Sequence, residues 1–517
     1  MALSCSTKME SGTPTSFSFI ISVILILGVL TPTSDARGSD LKGLECLKVS
    51  SSDFRDSVQG VIQVLQRVTS ILSRFPNGRD FRLSNAIFDC LDLLDLSFDD
   101  LQLSSSATQI PTGQQNGTGN LSSDLRTWLS AALANPQTCM EGFEGINSII
   151  DNLLSSLLSQ MISSIQHLLT QVHHVPDDFH ASEIQFPPWI KPRDQKVLQS
   201  DEINVDVVVA ADGTGTFTSV ADAVQAAPDY SMKRFVIYVK RGLYKENVEI
   251  KKKKWNIMMI GEGMDATVIS GDRNFYDGWT TYRSATFAVS GRGFIARDIT
   301  FQNTAGPEKH QAVALRSNSD LSVFYRCGIY GYQDSLYTHT MRQFYRECRI
   351  KGSVDFIFGD AAAVFQKCQI QAKRGLPGQK NAITAQGRKD PHEPTGFSFQ
   401  FCNISADSDL LPFVGSIETY LGRPWRAYSR TVYMQTYMSN AVAPRGWLEW
   451  NGDESSLYYA EYMNGGPGAA LENRVKWAGF HVLKDAREAY HFTVADFIQG
   501  NLWLPHTGVM YTAGLSA

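Results

Sequence analysis

Tyr325-Arg326-Cys327-Gly328-Ile329 is echoed 21 residues later by Arg346-Glu347-Cys348-Arg349-Ile350. Phe365-Gln366-Lys367-Cys368-Gln369-Ile370 follows after a further 20, and Phe399-Gln400-Phe401-Cys402-Asn403-Ile404 comes later. Around these phrases lie short runs rich in β-branched and aromatic residues, such as Phe235–Val239, Trp255–Ile260, Ala312–Leu315 and Thr431–Met434, punctuated by Gly, Asn and Asp. Strand-sized pieces recurring at about 21 residues, with no helix between them, predict a coiled solenoid such as a parallel β-helix, one repeat per coil. Equivalent residues then stack about 4.8 Å apart, the strand spacing of a sheet.

On that ruler Asp334 falls seven residues after Cys327 and Asp355 seven after Cys348. The two aspartates occupy the same phase of consecutive coils, and Gly375 ends the series. Neighbouring rungs also meet the α-carbon separation of a disulfide, about 4.4–6.8 Å. Spacing alone leaves Cys327–Cys348, Cys348–Cys368 and a ladder of buried thiols all open.

Of the 517 residues, 43% are hydrophobic and 19% charged, ordinary for a globular chain long enough for two or three domains. The net charge of -5 comes from the first 200 residues, with 13 Lys+Arg against 20 Asp+Glu; the remainder is nearly neutral, at 34 against 32. Nucleic-acid binding normally needs a dense basic face, which this balance does not offer. The run Lys251–Lys254 reads as a solvated turn.

Phe17–Leu30 is an unbroken run of apolar residues with Ser and Gly, flanked by Lys8 and by small residues at Ser34 and Ala36. It is short for a bilayer span and predicts a cleaved secretory signal over residues 1–36, with an uncleaved anchor as the alternative. Secretion makes Asn116, Asn120 and Asn403 glycan acceptors by their Asn-x-Ser/Thr context. From Asp53 to about Val172 apolar residues recur three or four apart, as in Phe54, Val58, Val61, Leu65, Val68 and Leu72. Four such segments predict an all-α four-helix bundle over 40–175, built for packing or partner binding. Ser104–Asn120 reads as a polar loop, and Pro-rich 176–204 as a linker ahead of a β domain at 205–517. The cysteine spacing suits no zinc site, and His173-His174 reads as a polar helix end rather than a metal site.

Two carboxylates on adjacent rungs, about 4–6 Å apart, cannot both ionise easily; one becomes an acid and the other stays a carboxylate. Gln333 and Gln311 offer neutral amide donors for an oxyanion. Arg423, in Leu421-Gly422-Arg423-Pro424-Trp425, can hold the ionised partner in a bidentate contact, while Tyr337, Phe358 and Trp425 offer flat faces to sugar rings. Retaining glycosidases use a similar carboxylate separation, so chemistry alone leaves ester and glycoside hydrolysis both standing.

Residues of about 205–517 resemble plant pectin methylesterases. The motifs are Gly242-Leu243-Tyr244-Lys245-Glu246, Gln311–Arg316, Gly331–Tyr337, Val354–Gly359 and Leu421–Trp425, in family order. The helical part resembles the pectinesterase-inhibitor-like pro-region of plant members. The resemblance implies a right-handed parallel β-helix that hydrolyses methyl esters of galacturonate in cell-wall pectin. Asp355 would be the nucleophile, Asp334 the acid/base, and Gln333 and Gln311 the oxyanion donors. Arg423 would orient Asp355 and contact substrate, and Thr281, Gln311, Arg423 and Trp425 would line the groove, with Tyr337 and Phe358 beside them. It also implies a Cys348–Cys368 disulfide, a monomer in the cell wall, no cofactor, and extracellular pectinesterase inhibitor proteins as candidate partners beside pectin. Cys90 and Cys139 are expected to pair. A pectin-cleaving hydrolase or lyase is the rival enzyme class, and a purely inhibitory binding protein the non-enzymatic one.

The sequence departs from the family pattern at Ser335, where Thr is usual, and at Asp360, where Asn is common. Asp360 adds a carboxylate that would shift the pH optimum if it faced the groove. Gly465 and the short Asp453-Glu454-Ser455-Ser456 segment alter C-terminal loops. Asp194-Gln195-Lys196-Val197-Leu198 has one basic residue where a basic processing site is common, and Cys46 stands alone where independent inhibitors carry an N-terminal pair.

Overall fold

The computed structural model describes residues 46–75, 80–109, 117–146, 149–175 and 204–516, except 451 and 453. The apolar run at 17–30, Asn116 and linker positions 176–203 lie outside the described residues.

Among the described residues, four helices form the N-terminal part: α1 (Ser51–Leu72), α2 (Phe81–Ala107), α3 (Leu121–Gly142) and α4 (Ile149–Gln171). Side chains fix three of their starts. Ser50 accepts from the Asp53 N–H, Asp80 from the Arg82 and Leu83 N–H groups, and Asn120 from the Ser123 N–H. Helix α2 takes in four residues that read as loop in the sequence, Ser104 to Ala107, and Ser104 Oγ satisfies itself on Asp100 O within the helix. Pro136 sits inside α3 and cannot donate to Ala132 O. Ser97 Oγ of α2 donates to that carbonyl instead, at 3.1 Å, so the proline costs no orphaned acceptor. Cys90 and Cys139 are disulfide-bonded, joining α2 to α3 with α-carbons 4.6 Å apart.

The remainder is a parallel β-helix of three sheets with 11, 7 and 8 strands, every strand pairing being parallel. One coil runs Ser322–Tyr325, Gly328–Tyr330, Leu336–Thr338; the next runs Arg342–Arg346, Arg349–Gly352, Ile357–Gly359. Tyr325 pairs with Arg346 and Gly328 with Arg349, so the repeated phrase is one coil long. Arg326, Glu347, Lys367 and Phe401, each preceding a ladder cysteine, all have positive φ between 49° and 56°. That left-handed residue turns the chain from one sheet to the next.

Inside the coil, equal phases stack. Phe324, Tyr345, Phe365, Phe399 and Tyr433 form a column of parallel rings with centroids 4.9, 4.7, 4.5 and 4.5 Å apart. Each such contact contributes roughly 0.5–1.5 kcal/mol beyond the apolar area it buries. Cys327, Cys348, Cys368 and Cys402 form a second column, and all four remain buried thiols. The Cys348–Cys368 bond implied by the family resemblance is therefore not made. The thiols satisfy themselves on backbone carbonyls: Cys348 Sγ lies 3.2 Å from Phe324 O and Cys402 Sγ 3.3 Å from Phe365 O.

Near the C-terminus lie three one-turn helices, Ala486–Tyr490, Val494–Phe497 and Gly500–Trp503. Phe492, Val494, Phe497 and Trp503 pack on outward residues of the largest sheet, among them Phe344, Val364 and Val432. No helix among the described residues is long and apolar enough to cross a membrane.

Candidate active site

Asp334 and Asp355 each stand just before a strand of the seven-stranded sheet, Leu336–Thr338 and Ile357–Gly359. Those strands pair Leu336 with Ile357 and Tyr337 with Phe358, which sets the aspartates one coil apart. Both residues have positive φ, 62° and 50°. Asp is among the few residue types that tolerate this region, and such strain collects at functional sites. The Asp334 N–H donates to Val354 O at 3.0 Å, tying the two turns together.

The carboxylates differ in their neighbours. Arg423 grips Asp355 with both arms, Nε to Oδ1 at 2.7 Å and Nη2 to Oδ2 at 2.5 Å. Both aspartates are buried, at 7% and 6% exposure, so both carboxyls rise above the ordinary range. Asp334 rises far, because burial is joined by the charge of Asp355 and only Arg423 opposes it. Asp355 is restrained by the hydrogen bonds and charge of Arg423. The pair therefore holds its proton on Asp334 and its charge on Asp355.

Gln311 and Gln333 lie on adjoining rungs, the Ala312 N–H donating to Gln333 O at 3.2 Å. Both side chains are partly exposed. Tyr337 and Phe358 stack at 4.1 Å, and Trp425 meets Phe358 edge-on at 6.1 Å. Gly387 leaves room for Trp425: a β-carbon there would come within 2.9 Å of the indole. Thr281 opens the short turn Tyr282–Ser284 on the same face. Trp450, missed in the sequence, packs under Arg423 with the guanidinium 4.1 Å from its ring.

Asp360 does not join the groove. It is buried, accepting from Gln386 Nε2 at 3.0 Å and Thr395 Oγ1 at 2.6 Å. Burial pushes it up to about 6, against those hydrogen bonds and the charge of Arg388. Ser335 is likewise internal, its hydroxyl bonded to Tyr332 O. Asn403 is exposed on a strand, whereas Asn120 spends its side-chain oxygen on the α3 cap.

The aromatic face of the groove is not open in this chain. Helices α2 and α3 lie against it, and Tyr337, Phe358, Ala385 and Trp425 share one apolar cluster with Leu129, Leu133 and Phe143. Thr138 Oγ1 lies 2.8 Å from His339 Nε2, and Glu141 bonds Arg426. Charged contacts surround this centre. Arg283 Nε reaches Asp89 at 2.6 Å and its Nη2 reaches Asp92 at 2.8 Å; Lys252 lies 2.8 Å from both Asp95 and Asp99. Lys252 is therefore an interface residue rather than part of a solvated turn. Arg342 is buried between Asp124 of α3 and Asp320 of the β-helix, 2.7 Å from each. None of these pairs is visible in sequence, since each joins residues more than 150 positions apart, or sits inside a strand that reads as apolar. Only Arg426, next to Trp425, carried a local signal.

The comparisons agree with this architecture. Residues 206–501 match the model of the Pectinesterase family, and residues 31–172 match the Plant invertase/pectin methylesterase inhibitor model. The chain is similar to pectinesterase/pectinesterase inhibitor PPE8B of Prunus persica, 67% identical over 473 residues, covering 91% of this chain and 90% of that one. It is 59% identical over 511 residues to probable pectinesterase/pectinesterase inhibitor 32 of Arabidopsis thaliana, covering 95% and 97%. Among solved structures, pectin methylesterase from carrot matches with TM-score 0.60 and 54% identity, covering 61% of this chain and 100% of the carrot chain. The Aspergillus niger pectin methylesterase matches with TM-score 0.52 and 31% identity, over 59% and 96%. A parallel β-helix with an arginine-held aspartate pair, fronted by an inhibitor-type bundle, places this chain in the pectinesterase family of carboxylic ester hydrolases.

Proposed function

We propose that the chain hydrolyses methyl esters of galacturonate units in pectin. The observation that carries this reading is the asymmetric aspartate pair, one member held ionised by Arg423 and the other kept protonated by burial. An Asp355 oxygen attacks the ester carbonyl carbon, and the amides of Gln333 and Gln311 donate to the oxyanion that forms. Collapse breaks the bond to the methoxy oxygen, which takes the Asp334 proton and leaves as methanol. Water then adds to the acyl-enzyme, losing one proton to Asp334; collapse restores the Asp355 carboxylate and frees the uronic acid, whose remaining proton passes to solvent. Thr281, Tyr337, Phe358 and Trp425 hold the polymer.

Secretion to the cell wall is part of the same reading, since the substrate lies there and the sequence begins with a signal-like run. N-terminal sequencing of the wall-bound protein tests it, and also reports any cleavage near Leu198. The helical region acts as an internal inhibitor, because the surface it covers is the one the sugar rings need. The assay is methanol release from methylated pectin by wild type and Asp355→Asn. An active Asp355→Asn chain would remove the nucleophile, and falling viscosity with new reducing ends would favour a pectin-cleaving enzyme instead.

A further inference from the structure

A cavity of about 520 Å³ lies where the helical region meets the β-helix. Its walls come from both parts, with Asp100 and Trp128 on the helices and Trp255 and Asn318 on the β-helix, so it exists only while the two are docked. Ser290, Asn318 and Thr340 line it, and each lies just past the end of a strand of the seven-stranded sheet: Phe287–Val289, Leu315–Ser317 and Leu336–Thr338. Asp334 and Asp355 stand before the starts of such strands. The cavity and the aspartate pair are therefore at opposite edges of that sheet.

Asp100 is 6% exposed, and its carboxyl makes no hydrogen bond or ion pair among the described residues. Burial holds it well above the usual carboxylate range, the charges of Asp99 and Asp320 add to this, and Lys252 opposes it. Lys252 has no hydrogen left to give. It lies 3.1 Å from Asp95 O and 2.8 Å from a carboxylate oxygen of both Asp95 and Asp99, which uses all its ammonium donors. Arg342 is committed to Asp124 and Asp320, and the charge of Arg292 falls on the same two. With Asp100 ionised, five aspartates (Asp95, Asp99, Asp100, Asp124 and Asp320) face three cations, which leaves two negative charges unmatched.

The remaining walls also favour a ligand that donates. Oδ1 of Asn135 and Oδ1 of Asn318 have no donor. Asn318 cannot reverse its amide, because Nδ2 is committed to Tyr282 Oη at 3.3 Å and His339 Nδ1 at 2.9 Å. Trp128 and Trp255 supply flat faces, and half-exposed Tyr230 stands edge-on to Trp255 at 5.4 Å. Aromatic faces beside a lone carboxylate suit an organic cation. No group of three or more His, Cys, Asp or Glu among the described residues is placed to hold a metal ion.

We propose that this cavity binds an aliphatic diammonium ion, with the Asp100 carboxylate as its counter-ion, and that the bound ion clasps α2 and α3 to the β-helix. One ammonium meets Asp100, the second answers the surplus charge around Asp95 and Asp99, and the methylenes lie against the tryptophans. Asp100 gives up its proton to solvent as the ammonium arrives, so affinity rises with pH.

The test needs no turnover, so internal inhibition does not enter it. Calorimetry on the full chain uses 1,4-diaminobutane dihydrochloride as probe and calcium chloride, of equal charge, as comparator. The diamine binds about tenfold tighter than calcium. Titrations at mildly acid pH in two buffers of different ionisation enthalpy show release of about one proton. Asp100→Asn preserves the side-chain shape; it weakens binding about tenfold and abolishes the proton release. Tyr230→Ala, at a half-exposed position, weakens binding about threefold. Glu144→Gln, which removes an exposed carboxylate outside the cavity, leaves binding unchanged. Saturating diamine slows proteolytic nicking of the helical region in wild type and not in Asp100→Asn. Absence of binding by wild type, equal affinity for calcium, or unchanged binding by Asp100→Asn overturns the site, and an unaltered nicking rate overturns the clasp.

Discussion

Asp334 and Asp355 occupy the same turn of consecutive coils, and both hold a left-handed backbone, at φ 62° and 50°. The stack that aligns them also makes them unequal, since Arg423 can reach only the second. The proposed mechanism needs Asp355 ionised and Asp334 protonated, so it predicts a rate that falls at low pH as Asp355 gains a proton and at high pH as Asp334 loses one.

Arg423→Gln tests that arrangement. Arg423 lowers both aspartates against the rise that burial causes, so its loss raises both. The acid limb and the alkaline limb of kcat/KM then both move to higher pH, and kcat falls by about 10²–10³ through the loss of one charged positioning group. A pH series of methanol release checks it; an unmoved acid limb would detach Arg423 from Asp355.

Docking of the helical region should weaken as pH rises. Burial raises Asp89, whose proton Arg283 and Thr280 oppose, and raises Asp100 well above its usual range, with Asp99 and Asp320 adding to the effect. A docked state with raised carboxyls binds more protons than the undocked one, so the stability these groups give is present at low pH and lost as pH climbs through the raised values. Proteolytic nicking of the helical region, followed over pH, is expected to accelerate on the alkaline side. Asp89→Asn should flatten that dependence.

Gly387→Val should displace Trp425, because even a β-carbon there meets the indole at 2.9 Å. Loss of the ring surface weakens polymer binding more than the chemistry at Asp355. We expect KM for pectin to rise about tenfold with a smaller change in kcat, measured by steady-state kinetics.

Unfolding in denaturant without reductant should leave Cys327, Cys348, Cys368 and Cys402 all open to alkylation, while Cys90 and Cys139 stay protected. Mass spectrometry of peptic peptides reads this directly. A protected Cys348–Cys368 pair would restore the bond that the family resemblance implied.

The sequence carried the coil because its period is short and local: the first three cysteine phrases and the two aspartates repeat at about 21 residues. For the same reason it placed Asp334 beside Asp355, since residues of equal phase must be neighbours. It did not carry what depends on direction or distance. Whether Asp360 faces the groove was open from its place after Asp355, and the turn sends it toward Gln386 and Thr395. The thiol column was ambiguous because rung spacing permits a disulfide and a ladder of free thiols alike, and the structure holds the thiols. The buried bridge of Arg342 to Asp124 spans 218 positions, and no periodicity announces such a contact.

The column of cysteines also marks where the chain is free to change length. Cys348 to Cys368 takes 20 residues and Cys368 to Cys402 takes 34, yet Gln366 still faces Gln400 and Gln369 still faces Asn403. Much of the surplus lies in the bends, 373–380 and 387–395, between strands whose partners are unchanged. A spiral of this kind tolerates insertion at its corners without losing step, so loops beside the polymer can lengthen and diversify while the aspartate pair stays in place. Gly387 sits in such an enlarged corner.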